Sequence, residues 1–576
     1  MAQRIVVDPV TRIEGHLRME AQLEDKRLRN VVSSGTIFRG LEIILQGRDP
    51  RDAWAYAQRI CGVCTHTHAL ASIRSVEDAL GIDIPKNANI IRNIMAAAQD
   101  VHDHTVHFYH LHGLDWIDVA SAASNAADPK EASAIAQSIS DWSPNDAGYF
   151  AGIQEKIRGI INSGRLGVFT GYWGHPAYKL PPSVNLLAVA HYIEALDWQK
   201  EIVKIHAVFG GKNPHPNYVV GGVPCSINLH DSNVINMERL NLVAAKIAEA
   251  KRFVEKVYLP DIMAIAKVYA DEGETWGKGV TNYMSFGDFP SENINHPDSF
   301  YVPRGIVLDG NMEDVRDLNL KDGSQIQEFI THAWYNYRGD KSSKTGLHPW
   351  DGQTTPDYDG PKPPYDELDP TKGYSWSKAP RWNGNAMEVG PLARCVIAYA
   401  KGDAETQEAV DDALQQLNLP LSALHSTLGR TLARALEAKQ RVNLLEKLYN
   451  DLIANINTGD TSTFNKTKWD PESWDKECKG VGFCEAPRGS LGHWIKIKDK
   501  KIENYQAIVP TTWNSSPRTA DGQQGAYEVA VQNTPMEVSD EPVELLRTIH
   551  SYDPCIACAT HLLDPDGKEL MTVKVK

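Results

Sequence analysis

The chain has 576 residues, of which 42% are hydrophobic, so it can bury a large core, and its formal net charge at pH 7 is −15. This surplus of carboxylates excludes a protein that binds the phosphate backbone of nucleic acids through a basic face. No apolar run approaches the roughly 18 residues that span a bilayer, and the N-terminus lacks the apolar stretch of a secretory signal. No low-complexity linker or clear internal repeat divides the chain, which indicates one large domain.

The first predicted elements are two strands, at 4–7 and 16–23, where apolar and polar residues alternate as in a half-buried sheet. Beyond them, apolar residues recur at i, i+3, i+4 and i+7, which is the period of amphipathic helices. Ser183 suits the N-cap of one of these helices. The predicted long helices are 90–111, 183–209, 237–258 and 404–456, the last of them broken near Pro420.

Long helices with wide apolar stripes must bury those stripes against one another. We therefore predict an α+β fold that is mainly α, with a core bundle of long helices and small peripheral β-sheets. Residues 339–384 are rich in Pro, Gly, Asp and Trp, which indicates a long irregular excursion over the surface. Residues 568–576 follow a turn at 564–567 and indicate a short C-terminal strand.

Four of the eight cysteines form two Cys-x-x-Cys pairs at opposite ends of the chain, Cys61 with Cys64 and Cys555 with Cys558. In so long a chain this pattern indicates metal or redox chemistry rather than a disulfide framework. A zinc site accepts the same four ligands, but the pairs of a zinc ribbon usually lie about 15 to 20 residues apart. A shared centre here requires the N- and C-terminal segments to close over it. The other cysteines are interpreted as buried or incidental thiols: Cys225, Cys395, Cys478 and Cys484.

Five motifs follow one another along the chain, and two of them contain the cysteine pairs. They are DPVTRIEGH (residues 8–16), FRGLE (38–42), RICGVCTHTHALAS (59–72), EAPRG (485–489) leading into YQAIVP (505–510), and DPCIACATH (553–561). Together they resemble the signatures of the large subunit of nickel-iron hydrogenases, of the membrane-associated uptake type. The resemblance covers essentially the full chain. His66 departs from the commoner pattern, in which a small or apolar residue is more usual, and this affects only the local lining.

The resemblance implies a binuclear metal centre held by the four paired cysteines. Cys61 and Cys555 would be terminal ligands of nickel. Cys64 and Cys558 would bridge nickel to an iron that carries carbon monoxide and cyanide. Soft thiolates suit these metals better than carboxylates do. The resemblance also implies a separate hard cation, magnesium or iron, with three ligands: Glu42, the backbone carbonyl of Ala507, and His561.

Further residues around the centre are assigned by the same resemblance. His68 would donate a hydrogen bond to a bridging sulfur. Arg488 and Asp553 would form a charged pair over the metals, with Asp103 beside them. Two residues would line the diatomic ligands, and the hydroxyl of the second could donate to a cyanide: Pro510 and Thr511.

The implied activity is the heterolytic cleavage of H2. Either the thiolate of Cys555 or the guanidine of Arg488 could take the first proton, and we favour the thiolate with Arg488 assisting, because a free arginine is too basic to cycle easily. Glu14 would carry the proton onward, because a carboxylate within hydrogen-bond reach of the thiol can relay it. Two other classes stay open on the residues alone: a non-enzymatic four-thiolate scaffold or maturation component, and an electron-transfer subunit that has lost its metals. The presence of all four thiols disfavours the second. The histidine-rich stretch 102–112 is interpreted as helix packing, not as a second metal site.

The partners implied are an iron-sulfur small subunit, which would hold all the iron-sulfur clusters, and a membrane subunit that accepts electrons. A C-terminal maturation protease and nickel-insertion proteins would act on the precursor. We expect the heterodimer on the periplasmic side of the cytoplasmic membrane, exported with the small subunit. Residues 1–561 would form a single catalytic domain, and residues 562–576 would be a propeptide removed on maturation.

Overall fold

Helices dominate the structure, a computed structural model that describes residues 3–273, 276–339, 342–361 and 367–559. Among these residues, no helix combines the length and the apolar character that crossing a bilayer requires. The α-helices are α1 Leu41–Ile44, α2 Ala53–Ala57, α3 Thr67–Leu80, α4 Lys86–Val106, α5 Val119–Ala123, α6 Pro129–Ile139, α7 Ala147–Asn162, α8 Pro182–Ile202, α9 Lys204–Gly210, α10 Met237–Phe253, α11 Leu259–Val268, α12 Pro391–Ala400, α13 Ala404–Leu417, α14 Thr427–Asn457, α15 Pro510–Asn514, α16 Ala526–Val531, α17 Val543–His550 and α18 Ile556–Ala559.

The strands form small antiparallel sheets, of which β1-β2-β3, β4-β7-β8 and β13-β14-β15 are three-stranded. The strands are β1 Gln3–Val7, β2 Leu17–Glu24, β3 Arg27–Gly35, β4 Tyr283–Ser285, β5 Asp288–Pro290, β6 Phe300–Val302, β7 Gly305–Val307, β8 Val315–Arg316, β9 Ile326–Phe329, β10 Tyr335–Tyr337, β11 Thr354–Pro356, β12 Ala379–Trp382, β13 Glu477–Ala486, β14 Gly489–Lys498 and β15 Lys501–Ile508. The mainly helical fold with small sheets, predicted from the sequence, is confirmed.

The centre of the bundle is the pair α4 and α14, which pack along each other. Almost every residue of α4 is buried, so this helix lies inside the bundle rather than at its surface. It continues without a break into a π-helical turn, His107–His112, which carries the chain toward the C-terminal segments. Ser426 is the N-cap of helix α14, because its hydroxyl accepts a hydrogen bond from the Gly429 amide at 3.0 Å.

The predicted N-cap at Ser183 is wrong. Helix α8 begins at Pro182, with Pro181 in the capping position and Ser183 already inside the first turn. Proline suits the first helical position because its missing N–H has no partner to lose there. The Ser183 hydroxyl instead donates to Glu131 at 2.6 Å and so ties α8 to α6.

One sheet, β13-β14-β15, lies within the core instead of at the periphery. Helix α3 packs directly on β13, and it can approach so closely because two strand residues there are glycines. A Cβ added at Gly482 would lie 2.0 Å from the backbone oxygen of Ala71 in that helix. The turn between β13 and β14 contains Arg488, and β15 leads into Pro510 at the start of α15. This buried sheet therefore carries part of the candidate site.

The predicted surface course of residues 339–384 is wrong for its last part. Tyr374, Ser375 and residues 377–382 are buried, and β12 lies in this stretch. The burial is possible because the backbone there finds polar partners: the Trp376 amide, for example, donates to the Gly35 carbonyl oxygen at 2.9 Å. The ring of Trp376 also stacks on Phe38, with 4.6 Å between the ring centroids. The strand predicted at 568–576 lies outside the described residues.

The N- and C-terminal segments meet beside the second cysteine pair. The Ile556 amide donates to the Glu14 carbonyl at 2.7 Å, and Glu14 pairs with Cys555 as an isolated parallel β-bridge. Gly15 makes this approach possible: its φ is +87°, and a Cβ there would lie 2.2 Å from the Ala557 nitrogen. The closure of the site by both ends of the chain depends on this contact.

Gly15→Ala is therefore expected to prevent the closure and to lower the bound metal strongly, measured as metal content per purified chain. Gly47→Ala is the matched control, because Gly47 also has a positive φ, +77°, but a Cβ there meets nothing within 4 Å. Backbone strain should lower the unfolding free energy of the control by about 1–2 kcal/mol, and the control should keep its metal. Equal metal contents in the two variants would contradict this account of Gly15.

Candidate metal centre

Three cysteines from the two ends of the chain converge in the interior. Their ligand atoms all lie within 4.8 Å of one another, and the Cys61 and Cys555 sulfurs are 3.6 Å apart. Cys61 and Cys64 lie in the loop before α3, and Cys555 lies just before α18. The three residues are at most 4% exposed. The side chain of Cys558 and the whole of His561 lie outside the described residues.

The loop before α3 is folded around the sulfur of Cys61. The amides of Val63 and Cys64 both donate to this sulfur, each at 3.3 Å. Hydrogen bonds from N–H groups favour the charged thiolate over the neutral thiol. The local backbone therefore prepares Cys61 as a metal ligand.

A small cavity opens against the cysteines, and its lining suits a soft metal. Cys64 and Cys555 contribute to it, and no carboxylate lines it within the part of the chain that the structure describes. Thr511 lies at its edge, where the hydroxyl oxygen accepts a hydrogen bond from the Cys555 amide at 3.0 Å. Thiolates without carboxylates are the ligand set that nickel and iron centres of low charge accept and that magnesium or calcium does not. The other lining residues are Thr67, His68, Ala486, Arg488, Leu491, Val509 and Pro510.

Arg488 lies over the cysteines between two carboxylates. Its guanidinium nitrogens lie 2.9 Å from Asp553 and 3.3 Å from Asp103, and all three side chains are buried. Burial alone would lower the pKa of Arg488, but Asp553, Cys555 and Asp103 raise it well above its ordinary value. Burial raises the pKa of Asp553 to about 6, against the attraction of Arg488. The guanidinium therefore stays charged beside the metal position.

Asp103 is itself fixed by two residues that sequence reasoning missed. Gln99 donates to its carboxylate at 2.5 Å, and His102 lies 2.8 Å from the same oxygen. Gln99 and Asp103 are four residues apart on α4, and this spacing on a helix could have identified the pair. The contact with His102 becomes visible only in the structure.

His68 has one ring nitrogen on a polar chain and the other at the cavity. Its Nδ1 lies 3.1 Å from Nε2 of His493, whose Nδ1 is 2.5 Å from the Tyr505 hydroxyl. Its Nε2 is buried and has no hydrogen-bond partner among the described residues. A ligand or sulfur in the cavity would give this nitrogen the partner that a buried polar atom requires. No sequence signal indicates that His493 and Tyr505 connect to His68, because β14 and β15 bring them there from far along the chain.

Glu14 reaches the sulfur of Cys555. The distance between the Glu14 carboxylate and this sulfur is 3.4 Å. Burial raises the pKa of Glu14, and the contact with Cys555 opposes this shift. A buried carboxylate with a raised pKa can take up and release a proton more readily near neutral pH than an exposed one.

Glu42 and Ala507 also lie side by side, as the predicted hard-cation site requires. The Ala507 amide donates to Glu42 at 2.9 Å, and the ammonium group of Lys378 lies 3.4 Å from the other carboxylate oxygen. Lys378 was not anticipated from the sequence. His561, the third predicted ligand, lies outside the described residues, so this cation site stays a prediction.

The histidine-rich stretch makes individual contacts with neighbouring elements. His104 contacts Glu437 at 3.3 Å, His107 the backbone oxygen of His550 at 2.6 Å, and His110 that of Tyr192 at 3.2 Å. His66, the departure from the common motif, contacts the Tyr218 hydroxyl at 3.0 Å and does not line the cavity. Of the histidines in the stretch 102–112, His112 is the one that belongs to a second close group of potential ligand atoms among the described residues, together with Asp115 and His550.

A buried thiolate centre, enclosed by both ends of a helical bundle and covered by a charged guanidinium, defines a redox metalloprotein. The family model described as nickel-dependent hydrogenase matches residues 39–561, and one described as HoxL-like matches residues 4–28. The chain therefore belongs to the nickel-dependent hydrogenases and is an oxidoreductase that acts on hydrogen. The resemblance drawn from the sequence motifs is confirmed.

The relatives are similar over their full length. The chain is 56% identical to the uptake hydrogenase large subunit of Rhizobium leguminosarum bv. viciae, over 100% of this chain and 98% of that protein. It is 53% identical to the hydrogenase-1 large chain of Escherichia coli, over 100% and 97% of the two chains. The solved Ni-Fe-Se hydrogenase of Desulfovibrio vulgaris Hildenborough in the as-isolated oxidised state is similar with a TM-score of 0.76 and 30% identity, over 97% of this chain and 100% of that one.

Proposed function

We propose that the chain is the catalytic large subunit of an uptake-type nickel-iron hydrogenase, which cleaves H2 heterolytically to two protons and two electrons. The observation that carries this proposal is the convergence of three buried thiols from both ends of the chain. Two of them line a small cavity to which the described part of the chain contributes no carboxylate. Cys61, Cys64, Cys555 and Cys558 would hold the metals. Pro510 and Thr511 would line the carbon monoxide and cyanide ligands of the iron. When bound, the centre supplies the redox-active metal at which H2 is split.

The protein's own contribution is the handling of the first proton. Cys555 is the better acceptor, because Arg488 is already protonated and its raised pKa makes it unable to take another proton or to cycle. Arg488, held by Asp103 and Asp553, would keep a fixed positive charge beside the thiolate. Glu14 would take the proton from Cys555 across the 3.4 Å contact and pass it outward.

His68 would support the centre through a hydrogen bond. Its buried Nε2 is the only polar atom of the ring that lacks a partner among the described residues, and it would donate to a bridging sulfur. Nε2 of His493 would donate to Nδ1 of His68 and so fix the tautomer of His68 that carries its hydrogen on Nε2, as second partners of functional histidines do. This hydrogen bond would stabilise the thiolate, and His68 itself would not be a metal ligand.

The hard cation would lie at Glu42, the Ala507 carbonyl and His561, and would be magnesium or iron. Oxygen and imidazole donors suit such ions. A bound cation would have to displace or reorient the Lys378 ammonium, which lies 3.4 Å from Glu42. The site would then join α1, β15 and the mature C-terminus.

Electrons would leave through a separate iron-sulfur small subunit. Among the described residues, the cysteines outside the centre form no cluster of ligand atoms that could hold such a group. We propose a heterodimer on the periplasmic side of the cytoplasmic membrane, in which a membrane subunit accepts the electrons. An isolated chain that reduces dyes with H2 at the full rate of the complex would refute this dependence on a partner.

Residues 562–576 would be removed by a maturation protease after nickel-insertion proteins have loaded the site, leaving residues 1–561 as one domain. Cleavage after His561 would free the new C-terminus to fold over the hard-cation site. Mass spectrometry of nickel-loaded, hydrogen-oxidising protein should therefore give the mass of a chain that ends at His561. An intact tail in such a preparation would contradict this maturation.

Metal analysis tests the proposed function as a whole. The purified complex should contain about one nickel per large subunit and should reduce a dye only when H2 is supplied. Zinc as the only transition metal, together with no hydrogen-dependent dye reduction, would refute the proposal and favour a non-enzymatic thiolate scaffold.

A further inference from the structure

Asp115 is a buried carboxylate that connects three separate segments of the chain. One oxygen lies 2.5 Å from the guanidinium of Arg12 in the N-terminal segment. The other oxygen lies 3.0 Å from Nδ1 of His112 and 2.7 Å from Nδ1 of His550, the last residue of α17. Burial alone would raise the pKa of Asp115, but Arg12 and the two histidines hold it well below its ordinary value. The carboxylate is therefore ionised, and both of its oxygens have polar partners.

This group is a hydrogen-bond hub and not a metal site, although its three ligand atoms lie within 4.8 Å of one another. The Trp116 indole N–H, which can only donate, points to Nε2 of His112 at 2.9 Å. Nδ1 of His112 must therefore carry the hydrogen and donate to Asp115. Neither nitrogen of this ring offers a lone pair to a cation.

Both ring nitrogens of His550 face oxygen atoms of other segments. Its Nδ1 faces the Asp115 carboxylate, and its Nε2 lies 2.8 Å from the backbone oxygen of Thr11, which can only accept. The ring thus links α17 to the N-terminal segment through Asp115 and Thr11. Arg547, in the same helix, adds two hydrogen bonds to the Asp115 backbone oxygen, at 3.0 and 2.7 Å.

The two segments held by this hub are the ones that carry the proton relay. Arg12 is two residues before Glu14, and its backbone is held in the left-handed region with φ +56°. His550 is five residues before Cys555. The only side-chain contact that the relay uses is the one between the Cys555 sulfur and the Glu14 carboxylate, at 3.4 Å, and its length depends on how the two segments are placed. A small shift of either segment would break it.

We propose that Asp115 is a positioning residue for proton transfer from Cys555 to Glu14, acting through Arg12 and His550. This inference rests on the proposed hydrogenase function. Asp115 touches neither the thiols nor Glu14, so its removal should change the geometry of the relay and leave H2 cleavage at the centre intact. A misplacement of about 1 Å can slow a positioned reaction about 100-fold.

The test compares two reactions of the same nickel-loaded complex carrying Asp115→Asn. Conversion of para-hydrogen to ortho-hydrogen requires cleavage and re-formation of the H–H bond but no proton exit, whereas isotope exchange between D2 and water requires the relay. We expect the D2–water exchange rate to fall at least about tenfold, with para–ortho conversion and nickel content within about twofold of the unaltered enzyme. Arg12→Gln, which removes the same ion pair from its more exposed side, should act in the same direction.

Asp261→Asn is the matched control. Asp261 is equally buried and also accepts hydrogen bonds from a histidine and another donor, His191 at 2.8 Å and Tyr109 at 2.6 Å, but it holds neither relay segment. It should leave the ratio of the two rates unchanged.

Three results would overturn the inference: no change in the ratio with Asp115→Asn and Arg12→Gln, an equal loss of both reactions together with nickel, or the same change of ratio with Asp261→Asn. If the unaltered complex itself binds no nickel and converts no para-hydrogen, the proposed function fails instead.

Discussion

Replacing Cys61 by Ser is expected to abolish hydrogen-dependent dye reduction and to lower the nickel content at least about 100-fold, more than the loss of an outer hydrogen bond would. A serine hydroxyl stays protonated at neutral pH and is a hard donor, so it cannot replace a thiolate that two backbone amides already stabilise. Nickel content is measured on protein that is purified and shown to be folded by its unfolding temperature.

Cys484→Ser is the control for the loss of a buried sulfur. Cys484 is as buried as Cys61, at 1% exposure, and its thiol donates only to the Thr67 backbone oxygen, at 3.7 Å. A serine hydroxyl can make the same hydrogen bond. This variant should keep its nickel and its activity, and full nickel occupancy in Cys61→Ser would contradict the ligand assignment.

Replacing Glu14 by Gln should slow proton transfer strongly without loss of the metal. The amide has nearly the same shape as the carboxylate but cannot take a proton from Cys555 across the 3.4 Å contact. We expect nickel content to be preserved while D2–water exchange falls by at least about 100-fold, which is the lower end of the usual contribution of general acid–base groups. Glu14→Asp keeps the carboxylate but shortens its reach, so its exchange rate should lie between those of the unaltered enzyme and Glu14→Gln.

Glu77→Gln provides a control for the loss of a buried carboxylate away from the centre. Glu77 forms a bidentate pair with Arg92, with oxygen–nitrogen distances of 2.7 and 2.8 Å, and contacts none of the cysteines. It should lower stability without changing the exchange rate per nickel. Undiminished exchange in Glu14→Gln would exclude the relay.

The pH dependence of exchange should follow from the environment of Glu14. Because burial raises its pKa, the protonated form persists to a higher pH than for an exposed glutamate. The release of the proton from Glu14 should therefore become more favourable as the pH rises through the raised pKa of this carboxyl group. Glu14→Gln should remove this inflection from the pH profile of D2–water exchange.

The sequence was sufficient to predict the long helices and the convergence of Cys61, Cys64 and Cys555. Helical periodicity identifies α4 and α14 directly, and the separation of Cys64 from Cys555 requires that the chain ends meet. It was not sufficient for the sheet β13-β14-β15, because strands buried on both faces lose the alternation that identifies a half-buried strand.

The hydrogen-bonded surroundings of the site could be predicted only where they are local. Gln99 and Asp103 are one helical turn apart, so their contact follows from the spacing. The contacts of His68 with His493 and of Asp115 with His550 join residues hundreds of positions apart, and no periodicity encodes them. The capping of α8 by Pro181 shows the same limit at short range, because Pro182 and Ser183 both fit a helix start and only packing decides between them.

The central claim is that thiolates from both ends of the chain bind the nickel, and nickel K-edge X-ray absorption measures this most directly. The purified complex should give a first nickel shell dominated by about four sulfur atoms. The sulfur contribution should decrease in whatever nickel remains bound to Cys61→Ser and should be unchanged in Cys484→Ser. A first shell of nitrogen and oxygen atoms only, in protein that oxidises H2, would contradict the account.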